Sequence, residues 1–182
     1  MKILITVGLI LGAAMTLQSQ TALQKDSAVK DETKQLEVLI VTDRQRYNRH
    51  DKLTITAMLV NGEYIKDILV YGRLGWGRLS SLTYTIRDAS GKPVHPTILA
   101  DDLTFPIRSD DTTSFVKLHP NHFLGTNYTE TLDRLNLKRL GKYSIVVEYH
   151  CPISSSAVDM SNFWSKENGT IRSNVVHIEV QP

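Results

Sequence analysis

The stretch that decides the fold is Leu137-Lys138-Arg139-Leu140-Gly141-Lys142-Tyr143-Ser144-Ile145-Val146-Val147. Leu140-Gly141 closes a turn, since glycine reaches backbone conformations that other residues avoid. After it Tyr143, Ile145, Val147 and Tyr149 alternate with Ser144, Val146 and Glu148. A period of two sends one set of side chains to a buried face and the other towards solvent, which is the pattern of a β-strand.

The same period recurs on both sides. Lys52–Asn61 sets Leu53, Ile55, Ala57 and Leu59 against Thr54, Thr56, Met58 and Val60, and Asn61-Gly62 then forms a hairpin-type turn. Leu36–Thr42, Tyr64–Tyr71, Leu82–Asp88, Thr112–Leu118 and Gly169–Gln181 read as further strands. Asp88-Ala89-Ser90-Gly91 is a turn by its chemistry: the Asp side chain bonds nearby backbone, and Gly91 accepts positive φ. The regions 43–51, 72–81, 92–111 and 152–168 are loops. No segment shows a 3.6-residue period; 134–140 has room for one helical turn. Seven to eight short antiparallel strands divided by turns predict an all-β sandwich.

The N-terminus is different. Lys2 precedes an apolar run from Ile3 to Met15, and Thr16 to Ala22 is short and polar. This is the three-part pattern of a cleavable signal peptide over residues 1–22, and the run is too short to cross a bilayer, which needs about 20 apolar residues. Residues 23–35 are charged and aperiodic, a linker, and residues 36–182 form the β domain. The expected destination is the periplasm or the medium, with no transmembrane segment in the mature chain.

Charge and cysteine narrow the classes. Cleavage near Ala22 removes one lysine from the 21 basic residues and none of the 19 acidic ones, taking the net charge from +2 to +1. So near-neutral a chain offers no electrostatic case for nucleic acid or an anionic membrane surface. Cys151 is the single cysteine, so no internal disulfide forms and the domain relies on packing. Its position at a strand end suits a small packed residue better than a reactive thiol or an intermolecular bridge.

Leu137-x-x-Leu140-Gly141-Lys142-Tyr143-Ser144-Ile145 resembles the start of strand F in immunoglobulin-like domains. The resemblance implies that Tyr143 sits at the corner between strands E and F, its hydroxyl bonded to upstream backbone. Ile145 stands where antibody domains carry their second cysteine, a departure that argues against the antibody branch. Further shared features are Tyr47 to Leu53, the strand ending at Asn61, the hairpin Arg87-Asp88-Ala89-Ser90-Gly91-Lys92, and Arg172 to Val175. Together they resemble an uncharacterised group of exported bacterial immunoglobulin-like β-sandwich proteins. A weaker similarity runs to the bacterial intracellular proteinase inhibitor family. What both imply is architecture, with Gly91, Gly141, Tyr143 and Ile145 as structural positions.

No motif names a reaction. Gly-x-Ser-x-Gly, His-Glu-x-x-His and phosphate-cradling loops are missing from the sequence. His150 and Cys151 are adjacent, so as strand neighbours they would face opposite ways and not pair. His119 and His122, with His95 or an aspartate, make a conceivable metal site, but Pro120 favours a turn of solvated histidines. Asp101, Asp102, Asp110 and Asp111 match no calcium-loop spacing. Asn127 and Asn168 each open a glycosylation triplet. Trp76 with Arg73 and Arg78, and Phe163 with Trp164, put aromatics in loops, where they either anchor a partner or cap the sheets. The expected function is therefore a non-enzymatic binding or structural module without cofactor or metal. Its loops 72–81 and 152–168 would meet an unidentified protein or cell-envelope component. The alternatives are a proteinase inhibitor presenting 92–111 and a metal-binding protein or metalloenzyme using the loop histidines.

Overall fold

A computed structural model describes residues 36–62, 66–77, 80–96, 112–158 and 160–182. The expected signal peptide (1–22), linker (23–35), Arg78 and the stretch 97–111 lie outside the described residues. The described chain is built of strands and short 3-10 turns: β1 (Leu36–Thr42), β2 (Arg46–Asn48), β3 (Lys52–Asn61), β4 (Ile68–Tyr71), β5 (Leu82–Asp88), β6 (Pro93–Val94), β7 (Phe115–Leu118), β8 (Phe123–Thr131), β9 (Gly141–His150), β10 (Thr170–Arg172) and β11 (Val176–Gln181).

Three sheets result. β1-β3-β8 is antiparallel throughout. The second sheet runs β2-β11-β9-β5-β6, with β10 also on β9, and only β2 joins it in parallel. β4 and β7 form a separate ribbon. Alternation is what fills the core. Leu53, Ile55, Ala57 and Leu59 of β3 are buried, as are Tyr143, Ile145, Val147 and Tyr149 of β9, and all belong to one hydrophobic cluster. Each fully buried Leu, Ile or Val contributes about 1.5–3 kcal/mol relative to exposure. Ile145 is wholly buried and lies in register with Ile86 on one side and Val176 on the other.

Six elements differ from the sequence expectation: β4 begins at Ile68 within the expected Tyr64–Tyr71, β6 is a two-residue strand inside the expected 92–111 loop, and the other four need more explanation. β8 was not anticipated, because Phe123-Leu124-Gly125-Thr126-Asn127-Tyr128 lacks a strong apolar alternation. As the last strand of its sheet, β8 half-buries only Leu124, Thr126, Tyr128 and Glu130 on one face. β2 holds three residues and a single buried side chain, Tyr47. Its hydroxyl donates to the Asp43 carboxylate at 2.7 Å and also lies 2.8 Å from the Arg44 carbonyl oxygen. Burial and the adjacent Asp43 push the Tyr47 phenol up to about 12. β7 is shorter than Thr112–Leu118, since 112–114 turns as a 3-10 segment. The last strand is two, β10 and β11, and Ser173 sustains the ladder between them: its N–H donates to Val147 and its hydroxyl oxygen accepts from the Val147 N–H, both at 2.9 Å.

Two asparagines join these parts. Asn61, fully buried, donates from its amide to the carbonyls of Lys66 and Leu118, each at 2.9 Å. It thereby fastens the end of β3 to the end of β7. Asn174 acts on the free edge of β1: its amide oxygen accepts from the Ile40 N–H (2.8 Å) and its NH₂ donates to the Ile40 carbonyl (3.1 Å). A side chain thus substitutes for one residue of a neighbouring strand, at an edge that no strand among the described residues pairs.

Candidate functional site

The loops singled out in the sequence meet at one end of the molecule, where β5 begins and β9 finishes. The short β4 strand organises that end. Leu69 donates its N–H to the Asn162 carbonyl (2.9 Å) and accepts from the Trp164 N–H (2.8 Å), so the 152–168 loop is stitched to β4. Gly72, the next residue after β4, donates to Ser114 at 2.7 Å. A side chain there would collide with Val116, 2.6 Å from a Cβ built on Gly72, so glycine permits the close approach of the 72–81 loop to β7. Loops 72–81 and 152–168 are thereby both anchored to one ribbon.

The aromatics sort into two clusters. Trp76 is buried, 9% exposed, and packs against Tyr84 and Tyr128 at centroid distances of 6.4 and 5.4 Å. The two tyrosine hydroxyls lie 3.4 Å apart across the sheets, and burial, with Tyr128 beside it, raises the Tyr84 phenol. Phe163 packs edge-on against Phe115 (5.1 Å), which meets Tyr71 in the same way (6.1 Å). Phe163 and Trp164 are half-buried. The indole N–H groups of Trp76 and Trp164 are buried with no acceptor among the described residues, a cost of about 1–3 kcal/mol each that ring packing has to exceed. Arg73 is exposed, and its carbonyl accepts from the Ser81 hydroxyl. Arg78 lies outside the described residues.

What this end presents to solvent is polar: Ser155, Ser156, Ser161, Asn162 and Lys166 are exposed. Glu167 holds the loop's conformation. One carboxylate oxygen accepts from the Ser154 hydroxyl at 2.6 Å and the other from the Ser155 N–H at 2.9 Å. These bonds, the Ser154 hydroxyl foremost, bring its carboxyl down to about 2. Cys151 is free and buried, its thiol directed at the Ile153 carbonyl, and burial raises its pKa. Tyr149 lies against it with a buried hydroxyl, and burial raises its phenol.

His119 and His122 are brought together by the turn between β7 and β8, with Asn121 at φ 61°. Their rings meet edge to face at 5.4 Å, and the His119 Nδ1 is 2.8 Å from Asp67. Lys117 approaches the other Asp67 oxygen at 3.7 Å. Among the described residues no group of three His, Cys, Asp or Glu could hold a metal ion. His95 lies elsewhere, beside Asn136, and the four aspartates at 101, 102, 110 and 111 lie outside the described residues. The structural positions are at the far end of the same strands. The Tyr143 hydroxyl donates to the Arg139 carbonyl at 2.7 Å, with Gly141 at φ 133° and Gly91 at φ 81°. The residues that sequence reasoning missed are Leu69 and Asn162, which act through backbone groups that side-chain identity does not reveal, and Tyr128, whose strand was not recognised.

No family model and no curated protein matches this chain. Among solved structures it is similar to a β-glucosidase from Erythrobacter marinus, with 10% identity and a TM-score of 0.36. The match covers 80% of this chain, which spans about 15% of the glucosidase. Among the described residues no helix is long and apolar enough to cross a membrane.

Proposed function

We propose that residues 36–182 are an immunoglobulin-like sandwich serving as an exported, non-enzymatic binding or structural module that meets its partner through the 72–81 and 152–168 loops. The observation that carries this reading is the double backbone contact of Leu69 with Asn162 and Trp164. It ties the 152–168 loop to the β4–β7 ribbon, and the Gly72 N–H bond to the Ser114 carbonyl ties the 72–81 loop beside it, so that an end formed from distant parts of the chain has a fixed shape. A fixed surface loses less conformational entropy on binding than free loops do. The sandwich reading draws on the two main sheets sharing one core, on the parallel β2–β11 pair and on the Tyr143 hydroxyl bond. Export rests on Lys2 and the Ile3–Met15 run.

Site-specific photocrosslinking in cells tests it. A crosslinker at Ser156, Asn162 or Lys166 is expected to give discrete adducts, and one at the exposed Val175 or Thr129 none. Adducts from no position, or equally from all five, would refute the assignment of contact to this end. Export is checked separately by the mass of the mature chain, which should lack about the first 22 residues.

A further inference from the structure

We propose that the opposite end of the domain carries a binding site for a ligand with closely spaced phosphate groups. The site is an open cleft of about 610 Å³ between the β5–β6 turn and the segment 136–143. That volume lies within the range of small-ligand sites. One wall contributes Lys92, and the other contributes Lys138, Arg139 and Lys142.

Charge is concentrated there. Among the described residues the lining holds one carboxylate, Asp88, against these four cations, a surplus of three positive charges where the whole chain carries +2. Asp88 is already committed. Its Oδ1 accepts from the Ser90 hydroxyl (2.6 Å) and from the N–H groups of Ser90 and Lys92 (2.9 and 3.0 Å). Among the described residues, none of the four cations has a carboxylate within ion-pair distance. Asp88 offsets part of the charge of Lys92, and Glu179 lies across the ladder from Lys142, but the lining still holds more cations than its carboxylate can balance, an excess that a multivalent anion neutralises.

The walls are also held in place. The Tyr143 hydroxyl pins the Arg139 carbonyl at 2.7 Å, next to the turn that Gly141 makes at φ 133°. Asn136, in the left-handed region at φ 59°, donates its amide to the His95 carbonyl at 3.2 Å and so links one wall to the other. The backbone that presents Lys138 and Arg139 therefore needs little ordering when a ligand arrives. An arginine fork matches phosphate geometry in two places, and lysines act on the remaining oxygens as point charges. A surplus of three charges suits a diphosphate better than a single carboxylate. The site lies the length of the β5–β9 pairing away from the 152–168 loop, roughly 20 Å at about 3.4 Å per residue, so it is independent of the contact end.

A soluble diphosphate and a phosphate headgroup on a lipid share this chemistry, and titration calorimetry with a vesicle assay separates them. Inorganic pyrophosphate, titrated into the purified chain at low ionic strength, should bind more tightly than orthophosphate and weaken as salt is added. Lys138→Gln with Arg139→Gln should cost at least about tenfold in affinity, since charge-assisted bonds are lost. The control pair Lys117→Gln with Arg172→Gln, exposed cations outside the cleft, should cost nothing; unchanged thermal melts show that both variants fold. Sedimentation with phosphatidylcholine vesicles that contain phosphatidic acid, abolished in the cleft variant, identifies a headgroup ligand. Pyrophosphate binding without such sedimentation identifies a soluble one. The proposal is overturned if pyrophosphate gives no binding at low ionic strength, or if the control pair loses as much as the cleft pair. It is also overturned if binding appears only after Asp101, Asp102, Asp110 and Asp111 are changed to asparagine, because the chain's own carboxylates would then be the ligand.

Discussion

The two ends of the strand pair β5–β9 solve opposite problems. At the end where Leu82 faces Tyr149, rings fill the space and backbone bonds fasten the loops to the β4–β7 ribbon. At the end where Asp88 faces Tyr143, two turns stand apart and leave a cleft rimmed by cations. The first spends its residues on packing. The second tolerates charge repulsion that contributes nothing to folding. An arrangement with no evident benefit to stability invites a binding role of its own, and this contrast predicts how each end responds to mutation.

The largest effect should come from Trp76→Ala, which removes a buried ring from between Tyr84 and Tyr128. A loss of about 3–5 kcal/mol is expected from the urea midpoint, with collapse of the near-ultraviolet dichroism. A loss below about 1 kcal/mol would mean the ring is not a packing element and would erase the contrast. Asn174→Ala should cost about 1–2 kcal/mol, because the two bonds to Ile40 go together. Light scattering during refolding should rise with it as the β1 edge opens. Tyr143→Phe keeps the packed ring and deletes one hydroxyl bond, so about 1 kcal/mol is expected. Pyrophosphate affinity should fall in the same variant, though no cation is touched.

Acid sharpens the comparison further. The Glu167 carboxyl is held near 2 in the folded chain against an ordinary 4.5. Its folded value is the lower one, so its contribution is complete above about 4.5 and disappears as the pH falls towards 2. The urea midpoint measured down this range should decline less steeply in Glu167→Gln than in the unaltered chain. The smallest effect belongs to the basic end: Lys138→Gln should shift stability by less than about 0.5 kcal/mol, and upward at low ionic strength, where removing one of four like charges relieves repulsion.

Much of the β pattern was legible because burial imposes alternation. Leu36–Thr42, Lys52–Asn61 and Leu82–Asp88 have the same bounds in sequence and structure. β8 was illegible because an edge strand half-buried on one face can use Thr126 and Glu130 where a central strand needs isoleucine. β2 was illegible because one tyrosine is too short a signal. At the aromatic end the sequence drew attention to the rings, yet it is the backbone of Leu69 and Gly72 that fastens the loops to the β4–β7 ribbon, and backbone groups are common to all residues. At the basic end the signal was present in Lys138-Arg139 and Lys92, but some 46 positions separate them. Only the pairing of β5 with β9 makes them neighbours.

The single thiol has one further consequence. Cys151 is sealed in the core with no partner to oxidise it within the same chain. Thiol reagents can therefore reach it only when this part of the structure opens, and its labelling rate is a clock for that opening. In an oxidising compartment the same chemistry leaves a permanent trace: two chains that open together become covalently joined through Cys151. The fraction of disulfide-linked pairs in an aged sample is thus a cumulative record of how often the domain has come undone.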